Sequence, residues 1–131
     1  MICADTSSLV ALLGGDAGRD VDLVRQALTD RILCVSPISV TELLSDPDPE
    51  PSLAELIVKI PRLEISPGYW ERAGKLRARM FRRRVRPKIA DTLIAQSCLD
   101  HGVGLITRDR DFAPFQQFAG LRVLVMGDLQ Q

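Results

Sequence analysis

Short apolar blocks alternate along this chain with stretches in which apolar residues recur every three or four positions. Met1-Ile2-Cys3-Ala4 is the first block. It ends at Asp5-Thr6-Ser7-Ser8, four residues able to cap a helix, and Leu9 to Leu13 then runs into Gly14-Gly15, which predicts strand, short helix, stop. Val21, Val24, Ala27 and Leu28 give Asp20 to Asp30 the spacing of an amphipathic helix, and Ile32 to Val35 reads as a buried strand. Ser39-Val40-Thr41-Glu42 matches a capping box, so a helix is expected to start there. The prolines of Asp46 to Pro51 make a stiff acidic loop, after which Ser52 is expected to cap a helix through Lys59. Leu63-Glu64-Ile65 reads as a brief strand, and Pro67 suits the first turn of a long helix running from about Gly68 into the arginines. A second long helix is expected over about Lys88 to His101 with Gly102 as its terminator. Leu105 to Thr107 and Leu121 to Val125 complete the strands, and Phe112, Phe115 and Phe118 fit a short helix packed on the sheet.

Strands alternating with helices predict a three-layer α/β/α sandwich with a mostly parallel central sheet of about five strands, since parallel neighbours need crossover helices. At 131 residues the chain reads as one domain, 1–131. No apolar stretch approaches the roughly 20 residues that cross a bilayer. Asp5 interrupts the first apolar run too early for a signal peptide. Cys3, Cys34 and Cys98 are odd in number, far apart and set among apolar neighbours, which fits buried, reduced thiols and a cytoplasmic protein.

In parallel sheets ligands bind beyond the carboxyl ends of the strands, so the polar residues after Ala4, Val35 and Thr107 carry the chemical interest. Asp5, Glu42, Asp91 and Asp109 all fall at or near such ends. Each has an ordinary structural use: Asp5 as a helix cap, Glu42 as half of a capping box, Asp91 against a helix dipole, Asp109 as a loop residue with Asp111 competing for the same place. Gathered in one pocket, however, four carboxylates would repel one another, and such a pocket makes sense around a divalent cation. Oxygen donors without a His/Cys cluster select Mg²⁺ or Mn²⁺.

Taken together, the order and spacing of these segments resemble the PIN-domain ribonucleases, in particular the VapC toxins of bacterial toxin–antitoxin pairs. The segments are Asp5-Thr6-Ser7 after the opening strand, Ile38-Ser39-Val40-Thr41-Glu42-Leu43, Ile89-Ala90-Asp91-Thr92-Leu93-Ile94-Ala95, and Leu105-Ile106-Thr107-Arg108-Asp109-Arg110-Asp111-Phe112. The resemblance runs nearly end to end. It implies a PIN-like fold and a metal-dependent endoribonuclease, with Asp5, Glu42, Asp91 and Asp109 as the metal-binding, catalytic quartet. Thr6 and Thr107 would orient carboxylates or a water, and Asp111 would help or substitute for Asp109. It also implies a homodimer and a small antitoxin that wraps the toxin near its acidic site.

Lysine plus arginine equal aspartate plus glutamate at 17 each, so any pull on a polyanion must be local. From Arg72 to Lys88 there are nine basic residues and no acidic one. Within that run Arg82, Arg83, Arg84, Arg86 and Lys88 lead into the helix that carries Asp91, and they are expected to contact the RNA backbone. The aromatics Tyr69 and Trp70 are read as core or oligomer contacts, and His101 as a helix-end residue and not an acid catalyst. Two other functions stand beside the nuclease. A noncatalytic RNA-binding or scaffold protein of the same fold would bind RNA without metal. A phosphoacceptor module needs an Asp at the end of its third strand, where this chain has Glu64-Ile65-Ser66-Pro67.

Overall fold

The computed structural model describes residues 1–124, so Val125 of the expected closing strand lies outside the described residues. Strands β1 (Ile2–Ala4), β2 (Leu33–Cys34), β3 (Gly104–Ile106) and β4 (Val123–Leu124) form one sheet in the order β2-β1-β3-β4. Every pairing is parallel, with Cys3 opposite both Cys34 and Leu105, and Leu105 opposite Val123. The crossovers are helical. Helices α1 (Thr6–Leu13) and α2 (Arg19–Thr29) join β1 to β2. From β2 the chain runs through α3 (Pro37–Leu44), α4 (Leu53–Lys59), α5 (Tyr69–Arg82) and α6 (Ile89–His101) to β3. A 3₁₀ turn (Arg110–Phe112) and α7 (Ala113–Ala119) lead to β4.

Alternation along the strands separates two cores, one on each face of the sheet. Cys3, Cys34 and Leu105 pack with Leu76 and Met80 of α5, Ile94 and Cys98 of α6, and Phe112 and Phe115. Ala4, Leu33 and Ile106 pack on the other side with Leu9 of α1, Val24 and Ala27 of α2, and Val40 and Leu43 of α3. The result is the expected α/β/α sandwich. All three cysteines are free and buried. Among the described residues no helix is long and apolar enough to cross a membrane.

The structure corrects four expectations. No strand forms at Leu63–Ile65; a single parallel bridge pairs Val35 with Arg62, so the sheet has four described strands and not about five. Val35 N donates to Pro61 O and Leu63 N to Val35 O, and just past this pair the Glu64 carbonyl turns to His101 Nε2 at 2.8 Å instead of continuing a ladder. The helix expected at Ser39 begins two residues earlier. Ser36 Oγ accepts from Ile38 N and Pro37 fills the first helical position, where a missing N–H costs nothing. Ser39 is therefore buried inside α3, and Glu42 has no capping role. Ser52 stands at the start of α4 but makes no cap bond, its amide and hydroxyl both donating to Glu50. Pro67 lies outside α5, because Gly68 adopts φ +83° and starts the helix.

Candidate active site

Three carboxylates meet beyond the carboxyl ends of β1 and β3. Asp91 sits in the first turn of α6, Asp109 caps the 3₁₀ turn, and Asp111 lies within that turn. One oxygen from each lies within 4.8 Å of the others. Asp91 is buried, Asp109 is half-buried and Asp111 is exposed, so the group opens to solvent on one side only. Asp109 Oδ1 accepts from Asp111 N at 2.8 Å, which ties the two side by side. The sequence leaves open which of the two belongs with Asp91; both do.

Asp5 directly follows β1 and is buried. Its carboxylate makes no helix-cap bond. Instead Oδ2 accepts from Ser7 Oγ at 2.7 Å and from Thr107 Oγ1 at 2.9 Å. Burial pushes the Asp5 pKa up, and these two hydroxyls pull it only part of the way back. Thr107 Oγ1 also accepts from Asp109 N at 2.9 Å, so one hydroxyl links Asp5 to the loop that carries Asp109. Asp5 is not a member of the three-carboxylate group, but its charge acts on it. The Asp91 pKa rises to about 6, first from burial and then from the charges of Asp109, Asp5 and Asp111, with Lys88 opposing them. Glu42 is exposed on α3 and outside the group, its Oε1 accepting from Thr6 Oγ1 at 2.7 Å.

A second constellation behind the site has no local signature in the sequence. Asp20, fully buried in the first turn of α2, receives Arg108 Nε at 2.8 Å and Nη2 at 3.0 Å, and Ser8 Oγ at 2.9 Å. Arg108 stands between Thr107 and Asp109. The fork thus ties the acid-bearing loop to α2 across 88 residues of sequence. Gly18 is required beside it: with φ +153°, an added Cβ would lie 2.5 Å from Asp20 Oδ1 and 2.9 Å from Arg108 Nη2.

The basic segment divides between surfaces. Arg82 and Arg83 border a pocket with Arg79 and Phe118, and Arg83 lies over the Phe118 ring at 5.0 Å. Arg86 lies over Phe81 at 5.2 Å, Arg84 turns the chain with φ +62°, and Lys88 is the member whose charge reaches Asp91. Tyr69 and Trp70 also part company. Tyr69 is core, donating its hydroxyl to Leu93 O at 2.5 Å, whereas Trp70 is exposed.

The sequence as a whole matches the PIN domain over residues 2–117. The chain belongs to the PIN domain family. Two solved structures share its PIN fold. One is VapBC2 from Rickettsia felis bound to a DNA fragment from their promoter, with TM-score 0.73 and 17% identity over 94% of this chain and 97% of that one. The other is DNA-bound VapBC from Salmonella typhimurium, with TM-score 0.70 and 21% identity over the same 94% and 97%. No curated protein matches by sequence. PIN domains are generally nucleases, and the acidic group stands where this PIN domain leaves its strand ends open.

The donor set suits a hard divalent ion. It consists of carboxylate oxygens, it lacks His and Cys, and it holds mutually repelling charges in a half-buried setting that a cation would relieve. Lys88 partly offsets this crowding of negative charge around Asp91.

Proposed function

We propose that this PIN domain is a metal-dependent endoribonuclease that hydrolyses RNA phosphodiester bonds, the VapC-type toxin of a toxin–antitoxin pair. The observation that carries this reading is the convergence of Asp91, Asp109 and Asp111, with Asp5 near enough for its charge to act on Asp91. Mg²⁺, with Mn²⁺ as substitute, would be held by Asp91, Asp109 and Asp111, with Asp5 completing the set. Such an ion polarises the phosphodiester, lowers the pKa of a water and neutralises charge on the leaving oxygen.

The chain's own residues supply position. Ser7 and Thr107 fix the Asp5 carboxylate, Thr107 also holds the Asp109 amide, and Thr6 holds Glu42 by one oxygen. Glu42, held in this way, would orient the attacking water. Arg82, Arg83, Arg84, Arg86 and Lys88 attract the RNA backbone from solvent. That the two neighbours named above are VapBC structures favours a small antitoxin as partner, and the same reading takes the protein to be a cytoplasmic homodimer.

Purified wild type should cleave RNA with Mg²⁺ or Mn²⁺ and stop on chelation. Asp91→Asn should lose at least about a hundredfold in rate, since the lost ligand acts on the charge that develops in the transition state. Equal cleavage by wild type and variant would identify a contaminant and remove the enzyme reading. RNA binding with no metal-dependent cleavage would favour the scaffold alternative.

A further inference from the structure

α5 and the start of α6 frame a groove of about 410 Å³ whose lining includes Trp70, Gly74, Arg77, Ile89 and Leu93. Trp70 is 57% exposed and Ile89 60%, two large apolar side chains in one patch. At 100° per residue, Trp70, Gly74, Arg77 and Phe81 share one stripe of α5, while Arg72, Lys75, Arg79 and Arg82 lie on the opposite side. Of the five cations within the helix, Arg77 is the one on the Trp70 side.

On the Trp70 surface the cations are fixed as planar forks. Arg77 lies 4.8 Å from the Phe81 ring centroid and donates Nε to Pro87 O at 3.0 Å, and Arg86 lies 5.2 Å from the same ring. Neither has a carboxylate partner among the described residues. Gly74 leaves the space between Trp70 and Arg77 open, since a Cβ there would meet nothing within 4 Å. Lys88 lies between this surface and the acids along the chain: it directly precedes Ile89, which lines the groove, and its charge acts on Asp91 three residues further on.

We propose that the groove is a base-stacking subsite for single-stranded RNA. The Trp70 indole takes the face of a base, Arg77 and Arg86 take adjacent phosphates, and the strand continues past Lys88 to the carboxylates. The inference rests on the nuclease reading above and adds to it where the substrate lies. Stacking on an indole tolerates any base, and the forks read phosphate, so the subsite would grip RNA with little sequence preference. A second copy of this chain is disfavoured as occupant. Two-fold pairing over this face would bring Arg77 and Arg86 of one copy against those of the other, with no carboxylate in the lining of the groove to offset them.

Trp70 is the only tryptophan in the chain, so its emission reports on this position alone. Oligoadenylate of twelve nucleotides, titrated in EDTA to prevent turnover, should quench that emission to saturation. With labelled RNA, Trp70→Ala should weaken binding about tenfold and Trp70→Phe should recover most of it. Arg77→Gln and Arg86→Gln should each lower the slope of log affinity against log salt by about 0.7. Unquenched emission together with unchanged affinity of Trp70→Ala would overturn the subsite, even if metal-dependent cleavage were intact. Emission that changes on dilution of the protein but not with RNA would also overturn it, by showing a self-association face. Quenching by RNA in a protein that never cleaves would sustain the subsite and remove the nuclease reading alone.

Discussion

Arg108→Ala is expected to destabilise the protein by about 3 kcal/mol at neutral pH, a large share of the roughly 5–15 kcal/mol typical of a domain. The change leaves Asp20 buried without its cation, held only by the Ser8 hydroxyl and the Val21 backbone N–H. In the intact protein burial raises the Asp20 pKa, but the Arg108 fork and the Ser8 hydroxyl more than offset this, and the carboxyl ends below its usual value. A depressed folded pKa contributes stability that is present above the unfolded value and lost as pH falls through the folded one. Without Arg108 the sign reverses, because burial then dominates and the folded pKa rises. The deficit of the variant should therefore shrink as pH is lowered from 7 toward 4, which urea unfolding across that range measures. A deficit that stays constant with pH would show that the fork contributes packing and not charge pairing.

Asp91→Asn should have the opposite effect on stability while removing cleavage. With its folded pKa near 6, ionised Asp91 opposes folding: the penalty is absent at low pH, grows between about pH 4 and 6, and is complete above that. Two units correspond to about 2–3 kcal/mol, so in EDTA at pH 7 the variant should be more stable than wild type by on the order of 2 kcal/mol. Below pH 4 the two should converge. Added Mg²⁺ should close the gap, since an ion that binds only the folded wild-type site stabilises it by mass action. A variant less stable than wild type at pH 7 in EDTA would mean that the acids are not in conflict.

Elements with strong local signals were readable from the chain alone. Gly102 after a long apolar-rich stretch marks the end of α6, and the short runs read at Met1–Ala4 and Leu105–Thr107 become the central strands Ile2–Ala4 and Gly104–Ile106. At α3 the capping-box pattern pointed to Ser39, whereas the helix starts at Pro37, because Ser36 Oγ accepts from Ile38 N and Pro37 has no N–H to satisfy. Leu63–Ile65 has strand composition, but a strand also needs a partner with free edge groups, and beyond one bridge none is offered. In the site, Asp5, Asp91 and Asp109 could be singled out because each follows a strand or opens a helix. Asp20 and Arg108 could not be, since nothing in their neighbourhoods distinguishes a buried ion pair spanning 88 residues from two surface charges. The different burial of Tyr69 and Trp70, whose rings meet edge to face at 4.9 Å, likewise depends on which side of α5 meets the core, and that is set by tertiary packing.

The central claim is that these carboxylates form one cage for a hard cation, and a Mn²⁺ titration followed by electron paramagnetic resonance tests it most directly. Wild type should take up the ion, release it to excess Mg²⁺, and bind at least about tenfold more tightly than Asp91→Asn or Asp109→Asn. Equal Mn²⁺ affinity in all three proteins would contradict the account.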